Sequence, residues 1–332
     1  MNTALTNSAS SISTGASLPG PEVRGPLRVS FLGPFGTFSE QATREITPRG
    51  ATLLPAAGVE SALHLVRTGE ADRAVVPIEN SIEGGVSATL DSLGWDKRLQ
   101  IVAEMIVPVG FTLGVRPGTQ LSEIRRIGTH SHAWAQCRNW VADNLPNAVH
   151  VATTSTAESA RILAEEETAS FQAVLASSAA VLSYGLTALF EDVADNHGAV
   201  TRFVELANPG HVPEPCGADK TTIQVRLPND YRSGALLEML QQFSARGINL
   251  SRIESRPLAG QPGRYVFSID LDGHIREERV QSALRGLYRI SEDLRFLGSY
   301  ARADQIRNDH APRTGDTDFR RARGWVDSIL RK

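Results

Sequence analysis

The stretch Ala74-Val-Val-Pro-Ile-Glu-Asn-Ser-Ile-Glu-Gly-Gly-Val86 is the part of this 332-residue chain that decides its fold. It begins as a short apolar run, which is typical of a buried strand in a parallel sheet. It then turns polar at Glu79, Asn80 and Ser81, and two glycines lead into a helical pattern. In open α/β sheets, ligands bind beyond the carboxyl ends of strands, and helix N-termini there bind anions. We therefore expect a site for a carboxylate-bearing small molecule, although simple helix capping by Asn80 or Ser81 is the alternative.

Composition limits the class of protein. The chain is 41% hydrophobic and 21% charged with a net charge of −3, which is ordinary for a globular protein long enough for two domains. We expect no nucleic-acid partner, because there is no long basic block, and no membrane partner, because no apolar run approaches ~20 residues. The N-terminus does not have the pattern of a secretory signal. Cys137 and Cys216 lack CxxC spacing, which argues against structural zinc and favours a cytoplasmic location.

A second strand–turn–helix unit precedes the opening stretch. The strand Leu27 to Leu32 runs into the turn Gly33-Pro-Phe-Gly-Thr-Phe-Ser39. Thr37 or Ser39 is placed to cap the following helix, which gives a second anion cradle. The turn has neither the GxGxxG spacing of a dinucleotide site nor the GK[ST] of a Walker loop. Residues 1–26, rich in Ser, Thr, Gly, Ala and Pro, are predicted to be a disordered lead-in.

The segment Ile127 to Val141 carries two histidines close together. Thr129 is placed to cap a helix on which His132 and Gln136 share a face. His130 and His132 suggest a metal, but they cannot lie on one helix face and no HExxH spacing follows. We therefore predict hydrogen bonding or capping for the histidines, and no metal site.

Strands and helices alternate through residue 206, which predicts parallel sheets with helices on both faces. Nearly every predicted strand ends in hydroxyl or amide residues. Several such ends at corresponding places indicate a polar cleft between lobes that holds a small anion by neutral donors. These strand-end residues are Thr37, Ser39, Asn80, Ser81, Thr129, Ser155, Thr156, Ser177 and Ser178.

The pattern changes after residues 207–219, a linker rich in Pro and Gly. Residues 220–300 have the order β-α-β-β-α-β, which is the ferredoxin-like unit. Residues 301–332 form a tail in which Phe319, Trp325 and Ile329 recur at helical spacing. The tail is either an amphipathic docking helix or a frayed terminus.

Several short motifs in this order resemble the monofunctional bacterial prephenate dehydratases with a C-terminal ACT domain. The resemblance covers residues of about 28 to 300. Its carriers are Gly33-Pro-Phe-Gly-Thr-Phe-Ser39, Val76-Pro-Ile-Glu-Asn-Ser81, Thr129-His130 through Ala135-Gln-Cys137, Tyr184-Gly-Leu186, Thr201-Arg-Phe203, Gly234-Ala-Leu236 and Glu254-Ser-Arg-Pro257.

The resemblance implies a two-lobed α/β catalytic domain, similar to periplasmic binding proteins, over residues 27–206. The first lobe would be 28–103 plus 190–206, the second lobe 104–189, and the active site would lie between them. The family removes water and carbon dioxide from prephenate to give phenylpyruvate, the precursor of L-phenylalanine. No metal or organic cofactor is implied.

The family's essential threonine corresponds to Thr201. We expect its hydroxyl to donate a hydrogen bond, or relay a proton, to the departing hydroxyl of the substrate. Asn80, Thr129 and Gln136 match positions tied to binding and catalysis, while Arg202 either faces a carboxylate or braces the loop. The full expected substrate-binding set is Thr37, Ser39, Asn80, Ser81, Thr129, His130, Gln136, Ser155, Thr156, Arg202 and Phe203.

Two positions depart from the family pattern. The family usually has Asn two residues before the threonine, where this chain has Ala199. Its Ser-His-Pro-Gln motif appears here as Thr129-His-Ser-His132, so Thr129 can keep the hydroxyl role and His132 stands where the family has Gln.

The ACT resemblance implies feedback by L-phenylalanine in a homodimer or homotetramer assembled through these domains. The start of the Gly234 helix would offer free N–H groups to the effector carboxylate. A strand across the interface would complete the pocket. The expected effector-binding residues are Ser233, Gly234, Ala235, Leu236, Asn249, Leu250, Glu254, Ser255, Arg256 and Pro257.

Two other functions compete with this interpretation. An arogenate dehydratase would perform the same chemistry on the transaminated substrate. A non-catalytic sensor of small anions or amino acids could use the same two-lobed fold and ACT domain, although a sensor would not need Thr201.

Overall fold

The structure is a computed structural model of the chain. It describes residues 25–93, 99–210, 212–228, 233–258, 261, 263–307 and 312–331. The predicted lead-in, residues 1–26, therefore lies outside the described residues except for residues 25 and 26. His211 of the predicted linker also lies outside them. The described strands form three sheets.

The first sheet, with its helices, forms the first lobe. Its strands are β1 (Arg28–Leu32), β2 (Thr52–Ala56), β3 (Arg73–Asn80), β4 (Gly84–Gly85), β5 (Gln100–Pro108) and β11 (Val200–Ala207). Its helices are α1 (Phe38–Ile46), α2 (Val59–Thr68) and α3 (Ser87–Ser92). The strand order is β2-β1-β3-β11-β5, and β4 pairs with β3.

The second sheet forms the second lobe. Its strands are β6 (Thr112–Val115), β7 (Arg126–Thr129), β8 (Val149–Ala152), β9 (Ala173–Ala176) and β10 (Thr187–Phe190), in the order β10-β6-β9-β7-β8. Its helices are α4 (Ser131–Gln136), α5 (Arg138–Asn144), α6 (Thr156–Glu165) and α7 (Ser178–Ser183), and Leu121–Glu123 forms a 3₁₀ turn.

The third sheet, called the C-terminal sheet below, has strands in the order β13-β14-β12-β15. The elements in chain order are β12 (Asp219–Arg226), α8 (Ala235–Ser244), β13 (Leu250–Pro257), β14 (Tyr265–Asp272), α9 (Glu278–Ile290), β15 (Asp293–Ala301) and α10 (Asp316–Leu330). The first six of these follow the β-α-β-β-α-β order, and the strands among them pair antiparallel. This confirms the predicted ferredoxin-like unit.

Local sequence explains the first elements of the chain. Val29 and Phe31 alternate with more polar neighbours and are fully buried in β1. Thr37 caps α1, because its hydroxyl accepts from the backbone N–H of Glu40 at 3.2 Å. Helix α2 ends at Gly69, whose φ of 79° is a left-handed conformation that glycine adopts without strain.

Pairing differs from the prediction of wholly parallel sheets. Strands β1, β2 and β3 are parallel, but β11 runs antiparallel to both β3 and β5. The chain leaves the first lobe through β5 and returns through β11, so the returning strand enters the sheet from the opposite end. This return places Thr201 directly opposite Asn80.

The C-terminal sheet packs on the first lobe. Leu297 and Tyr300 of β15 belong to the same apolar cluster as Leu99 and Ile101. A Cβ at Gly298 would overlap the backbone carbonyl of Ile101, so glycine permits this close approach of β15 to β5. Among the described residues, no helix has the length and apolar character needed to cross a membrane.

Candidate active site

A cleft of about 970 Å³ lies between the first two lobes. Both lobes contribute to its wall, and nine of the predicted site residues line it. They are Thr37, Ser39, Asn80, His130, Gln136, Ser155, Thr156, Thr201 and Phe203. Five of the nine strand-end residues named in the sequence therefore meet at one cavity, namely Thr37, Ser39, Asn80, Ser155 and Thr156. Ser177 instead caps α7 and donates to the Gly36 carbonyl, and the Ser178 hydroxyl lies 2.7 Å from that of Thr112.

Asn80 and Thr201 form a hydrogen-bonded pair at the wall of the cleft. The Asn80 side-chain amide donates from Nδ2 to the Thr201 hydroxyl oxygen at 2.9 Å. Asn80 Oδ1 accepts from the backbone N–H groups of Ile82 and Glu83 at 2.9 and 3.2 Å, which fixes which end of the amide faces Thr201. Since the Thr201 oxygen is an acceptor in this pair, its own proton is free to donate into the cleft.

The glycine turn before α1 forms a second part of the wall. The Thr37 hydroxyl, besides capping α1, lies 3.0 Å from the Leu32 carbonyl and 3.1 Å from the Pro34 carbonyl, to which it donates. Its proton is therefore used within the loop, and Thr37 shapes the cleft. Ser39 lines the same wall and is almost fully buried.

The first turn of α6 lies at the opposite side of the cleft. The Ser155 hydroxyl accepts from the backbone N–H of Glu158 at 3.0 Å and caps the helix. Thr154, Ser155 and Thr156 all line the cleft. Backbone N–H groups at a helix start attract anions, so this turn suits a carboxylate.

His130, His132 and Glu83 form a polar cluster that joins the two lobes. His132 Nδ1 lies 2.7 Å from Glu83 Oε2, and Gln136 Nε2 lies 3.5 Å from Glu83 Oε1. Burial lowers the pKa of His130, and the nearby His132 ring lowers it further, so the His130 imidazole is neutral at pH 7. Sequence reasoning missed Glu83, because its partners come from the other lobe.

An apolar wall faces these polar groups. Phe38, Val109, Phe111 and Phe203 line the cleft, and the Phe38 and Phe111 rings meet edge to face with centroids 6.0 Å apart. Val109 and Phe111 lie in the short segment between β5 and β6, and their apolar character is what the sequence shows of this wall. The cleft can therefore hold a small ring on one side and hydrogen-bond its polar substituents on the other.

Three predicted residues do not reach the cleft. Thr129 is fully buried, and its hydroxyl donates to the Leu175 carbonyl at 2.6 Å. Helix α4 is instead capped by the His130 ring, which accepts from the N–H of His132 at 3.3 Å. We therefore correct the expectation that Thr129 caps this helix and contacts the substrate.

Ser81 and Arg202 are the other two predicted site residues that do not line the cleft. The Ser81 hydroxyl accepts from the backbone N–H of Val200 at 2.9 Å and thereby fixes the start of β11. Arg202 points away from the cleft, because neighbouring strand residues face opposite sides of a sheet and Thr201 faces the cleft. Its guanidinium pairs with Glu104 and Asp270.

The predicted effector residues divide into two groups. At the start of α8, three predicted residues are exposed: Ser233, Gly234 and Leu236. On β13, Ser255 and Pro257 are also exposed. The Asn249 amide donates to Asp272 at 2.8 Å. Ala235 and Leu250 are partly buried.

Glu254 and Arg256 instead face the first lobe of the same chain. A Cβ at Gly85 would overlap the Glu254 carboxylate, so that carboxylate packs against the cleft wall. Arg256 makes two bonds of 3.1 Å to Asp91 in α3. Their side chains therefore form part of the junction between the C-terminal sheet and the first lobe.

The fold and cleft define a class: a two-lobed α/β protein with a cleft between its lobes and an appended ferredoxin-like sheet. The prephenate dehydratase family profile matches residues 29–211. The chain is 44% identical over 305 residues to the prephenate dehydratase of Amycolatopsis methanolica, covering 92% of this chain and 98% of that protein. The chain therefore belongs to the prephenate dehydratase family.

Solved structures are similar along nearly the whole chain. The prephenate dehydratase of Arthrobacter aurescens in complex with L-Phe is 52% identical, with a TM-score of 0.85 and coverage of 92% of this chain and 100% of that one. GqqA, described as a novel type of quorum quenching acylase, is 31% identical, with a TM-score of 0.75 and coverage of 84% and 100%.

Proposed function

We propose that this chain converts prephenate to phenylpyruvate, with loss of water and carbon dioxide. The observation that carries the proposal is the Asn80–Thr201 pair, which presents a threonine proton to a cleft between two lobes. The catalytic domain would be residues 27–206, with the lobe limits expected from the sequence. Residues 220–300 would form the regulatory domain, joined by the linker 207–219, and residues 301–332 the tail.

The reaction needs little acid–base power from the protein. The bond between the ring and its carboxylate breaks, its electrons complete the aromatic ring, and the carbon–oxygen bond to the ring hydroxyl breaks. A threonine hydroxyl is too weak an acid to give up its proton outright, so Thr201 donates a hydrogen bond, or relays a proton, to the departing hydroxide. Asn80 holds the Thr201 oxygen and thereby aims that proton.

Neutral donors would hold the two substrate carboxylates. No lysine or arginine lies among the described residues that line the cleft. Ser39, Thr156 and the first turn of α6 offer hydroxyl and backbone N–H donors instead. These donors bind an anion without the strong ground-state attraction of a full positive charge, so the substrate is held while the Thr201 interaction grows in the transition state.

Hydrolysis of an amide, which an acylase performs, fits the site less well. A threonine nucleophile needs a base beside its hydroxyl to accept the proton. The group beside Thr201 is the Asn80 amide, whose Nδ2 is a donor and cannot accept that proton. This geometry favours a hydrogen-bond donor role for Thr201.

The experiment that tests the proposal compares Thr201→Ala with the matched variant Thr201→Ser. We expect Thr201→Ala to lower kcat by about 10²–10³, because one transition-state donor is lost. Thr201→Ser keeps the hydroxyl and should retain most of the rate. The assay reads phenylpyruvate absorbance in alkali, with prephenate and arogenate supplied in parallel.

Each outcome of that assay has one meaning. Near-normal turnover by a folded Thr201→Ala protein would refute the role of Thr201. Faster conversion of arogenate would establish the arogenate dehydratase alternative. Turnover of neither substrate by the wild-type protein would favour the sensor.

Feedback by L-phenylalanine is the regulatory half of the proposal. The related Arthrobacter aurescens structure is a complex with L-Phe. In this chain the start of α8 is exposed, and its free N–H groups suit an amino-acid carboxylate. Adding L-phenylalanine to the assay above should inhibit turnover.

We also propose a homodimer or homotetramer in the cytoplasm. Leu236, Leu237, Ile253 and Tyr265 expose apolar surface on the C-terminal sheet and its first helix, which a second copy would cover. The two cysteines are unpaired, as expected of a reducing compartment. Light scattering coupled to size exclusion would distinguish the two assembly states.

A further inference from the structure

A buried group of charged side chains lies where the C-terminal sheet meets the first lobe. Arg202 of β11 is at its centre, with a side chain only 9% exposed. Its Nη1 donates to Glu104 of β5 at 3.0 Å, and its Nη2 donates to Asp270 of β14 at 2.5 Å. One guanidinium therefore bonds to both sheets.

Arg202 is also adjacent to the catalytic pair. Thr201 and Asn80 are cross-strand partners in β11 and β3, and Arg202 and Glu79 are the next partners along the same strands. Arg202 Nε lies 3.3 Å from Glu79 Oε2. Arg202, the cation that contacts the C-terminal sheet, thus forms an ion pair across these two strands, one residue away from the hydroxyl and the amide.

Within the C-terminal sheet, other side chains hold Asp270 in place. Asp270 accepts from Arg252 of β13 at 3.0 and 3.1 Å and from the Thr222 hydroxyl of β12 at 2.8 Å. Glu104 receives a second cation, Lys220, at 3.0 Å. Removing any charge would leave its partners buried and uncompensated, so each member of the group is needed for the contact between the two sheets.

We propose that Arg202 is the positioning residue through which the C-terminal sheet sets the geometry of the Thr201–Asn80 pair. A shift of β13 or β14 moves Asp270, Asp270 moves the guanidinium, and the guanidinium moves the backbone that carries Thr201. Allostery requires such an element, with contacts that differ between two arrangements. The contact of Glu254 with Gly85 links β13 to the cleft wall at a second point.

The chain contains a matched control for Arg202. Arg73 of β3 pairs with Glu205 of β11 at 2.8 Å, and the Glu205 side chain is 2% exposed. This pair joins the same two strands, but both its members belong to the first sheet. Arg73→Lys and Arg202→Lys therefore make the same chemical change in the same sheet, and only the second change touches the C-terminal sheet.

The experiment uses the full-length wild-type protein, Arg202→Lys, Asp270→Asn and Arg73→Lys, and this inference rests on the proposed dehydratase activity. We expect Arg202→Lys and Asp270→Asn to lower kcat about tenfold or more, since misplacement of a catalytic group slows the chemical step. KM for prephenate should change little. The factor by which saturating L-phenylalanine inhibits should fall about fivefold or more, while L-phenylalanine still raises the melting temperature.

Arg73→Lys should leave kcat and the inhibition factor near their wild-type values. Equal kinetic effects of Arg202→Lys and Arg73→Lys would overturn the inference, as would a purely KM effect of Arg202→Lys. Crystal structures of the two lysine variants distinguish a failure of this inference from a failure of the proposed function. If the Asn80–Thr201 bond is unchanged in Arg202→Lys, the inference is wrong even where prephenate is turned over, whereas an inactive wild-type protein refutes the function alone.

Discussion

Asn80 performs two tasks with the two ends of one amide. Its oxygen accepts from two backbone N–H groups of the following loop, and its nitrogen donates to Thr201. The first task holds the loop and is not the helix capping that was the alternative interpretation of the sequence, because α3 begins after Val86 without a side-chain cap. One amide performs both tasks because it carries an acceptor and a donor on opposite sides.

Asn80→Asp separates these two tasks. The carboxylate still accepts from the loop N–H groups, so the loop should keep its shape. It cannot donate to Thr201, and the threonine proton should turn toward the carboxylate and away from the substrate. We expect kcat to fall by about 10²–10³, with a melting temperature close to that of the wild-type protein. A folded Asn80→Asp protein with wild-type kcat would contradict this account of the pair.

At the scale of elements, β15 and β13 attach the C-terminal sheet to the first lobe in different ways. Strand β15 packs through apolar residues and the close approach at Gly298. Strand β13 contacts the lobe through charged side chains, as in the bidentate pair between Arg256 and Asp91. The apolar contact of β15 stabilises the attachment more than the exposed Arg256–Asp91 pair does, because exposed ion pairs contribute little.

Gly298→Ala tests the close approach of β15 to β5. Gly298 has a φ of 151°, and an added Cβ would overlap the Ile101 carbonyl. Gly217, with a φ of 86° and open space around it, is the matched control. We expect Gly217→Ala to cost about 1 kcal/mol of unfolding free energy from backbone strain. Gly298→Ala should cost a further 1–3 kcal/mol or so from overpacking, measured by urea denaturation. Equal losses would show that β15 does not need this approach.

For the whole molecule, the sequence predicts which residues end strands but not what lies across from them. The family resemblance implies that Asn80 and Thr201 belong to one active site, and their strands are neighbours in the sheet. The sequence predicts that Arg202 either faces a substrate carboxylate or braces the loop, and it does not indicate the actual partners Glu104 and Asp270, which lie 98 and 68 residues away. Glu83 was missed for the same reason. Local patterns establish the elements, whereas the direction of a buried charge depends on how the sheets are assembled.

That assembly should also determine the response of the molecule to acid. Burial alone would raise the pKa of Asp270, but Arg252 and Arg202 hold it well below its usual 3.8. The folded state therefore binds the Asp270 proton less readily than the unfolded chain does. Its contribution to stability is complete above about pH 4 and is lost as the pH falls toward the depressed pKa. Glu205 has the opposite sign, because burial outweighs Arg73 and raises its pKa.

Asp270→Asn and Glu205→Gln should separate these two contributions. At pH 7 we expect Asp270→Asn to lower the free energy of unfolding by about 3–5 kcal/mol, since it leaves buried cations uncompensated. Between pH 4 and pH 2 its stability should fall less steeply than that of the wild-type protein, because the titrating group is gone. Glu205→Gln should change the slope above about pH 4.5 instead, because there the folded wild-type protein gains stability as falling pH protonates Glu205, and the variant cannot. Urea denaturation at several pH values measures both slopes, and parallel curves for all three proteins would contradict the assigned directions.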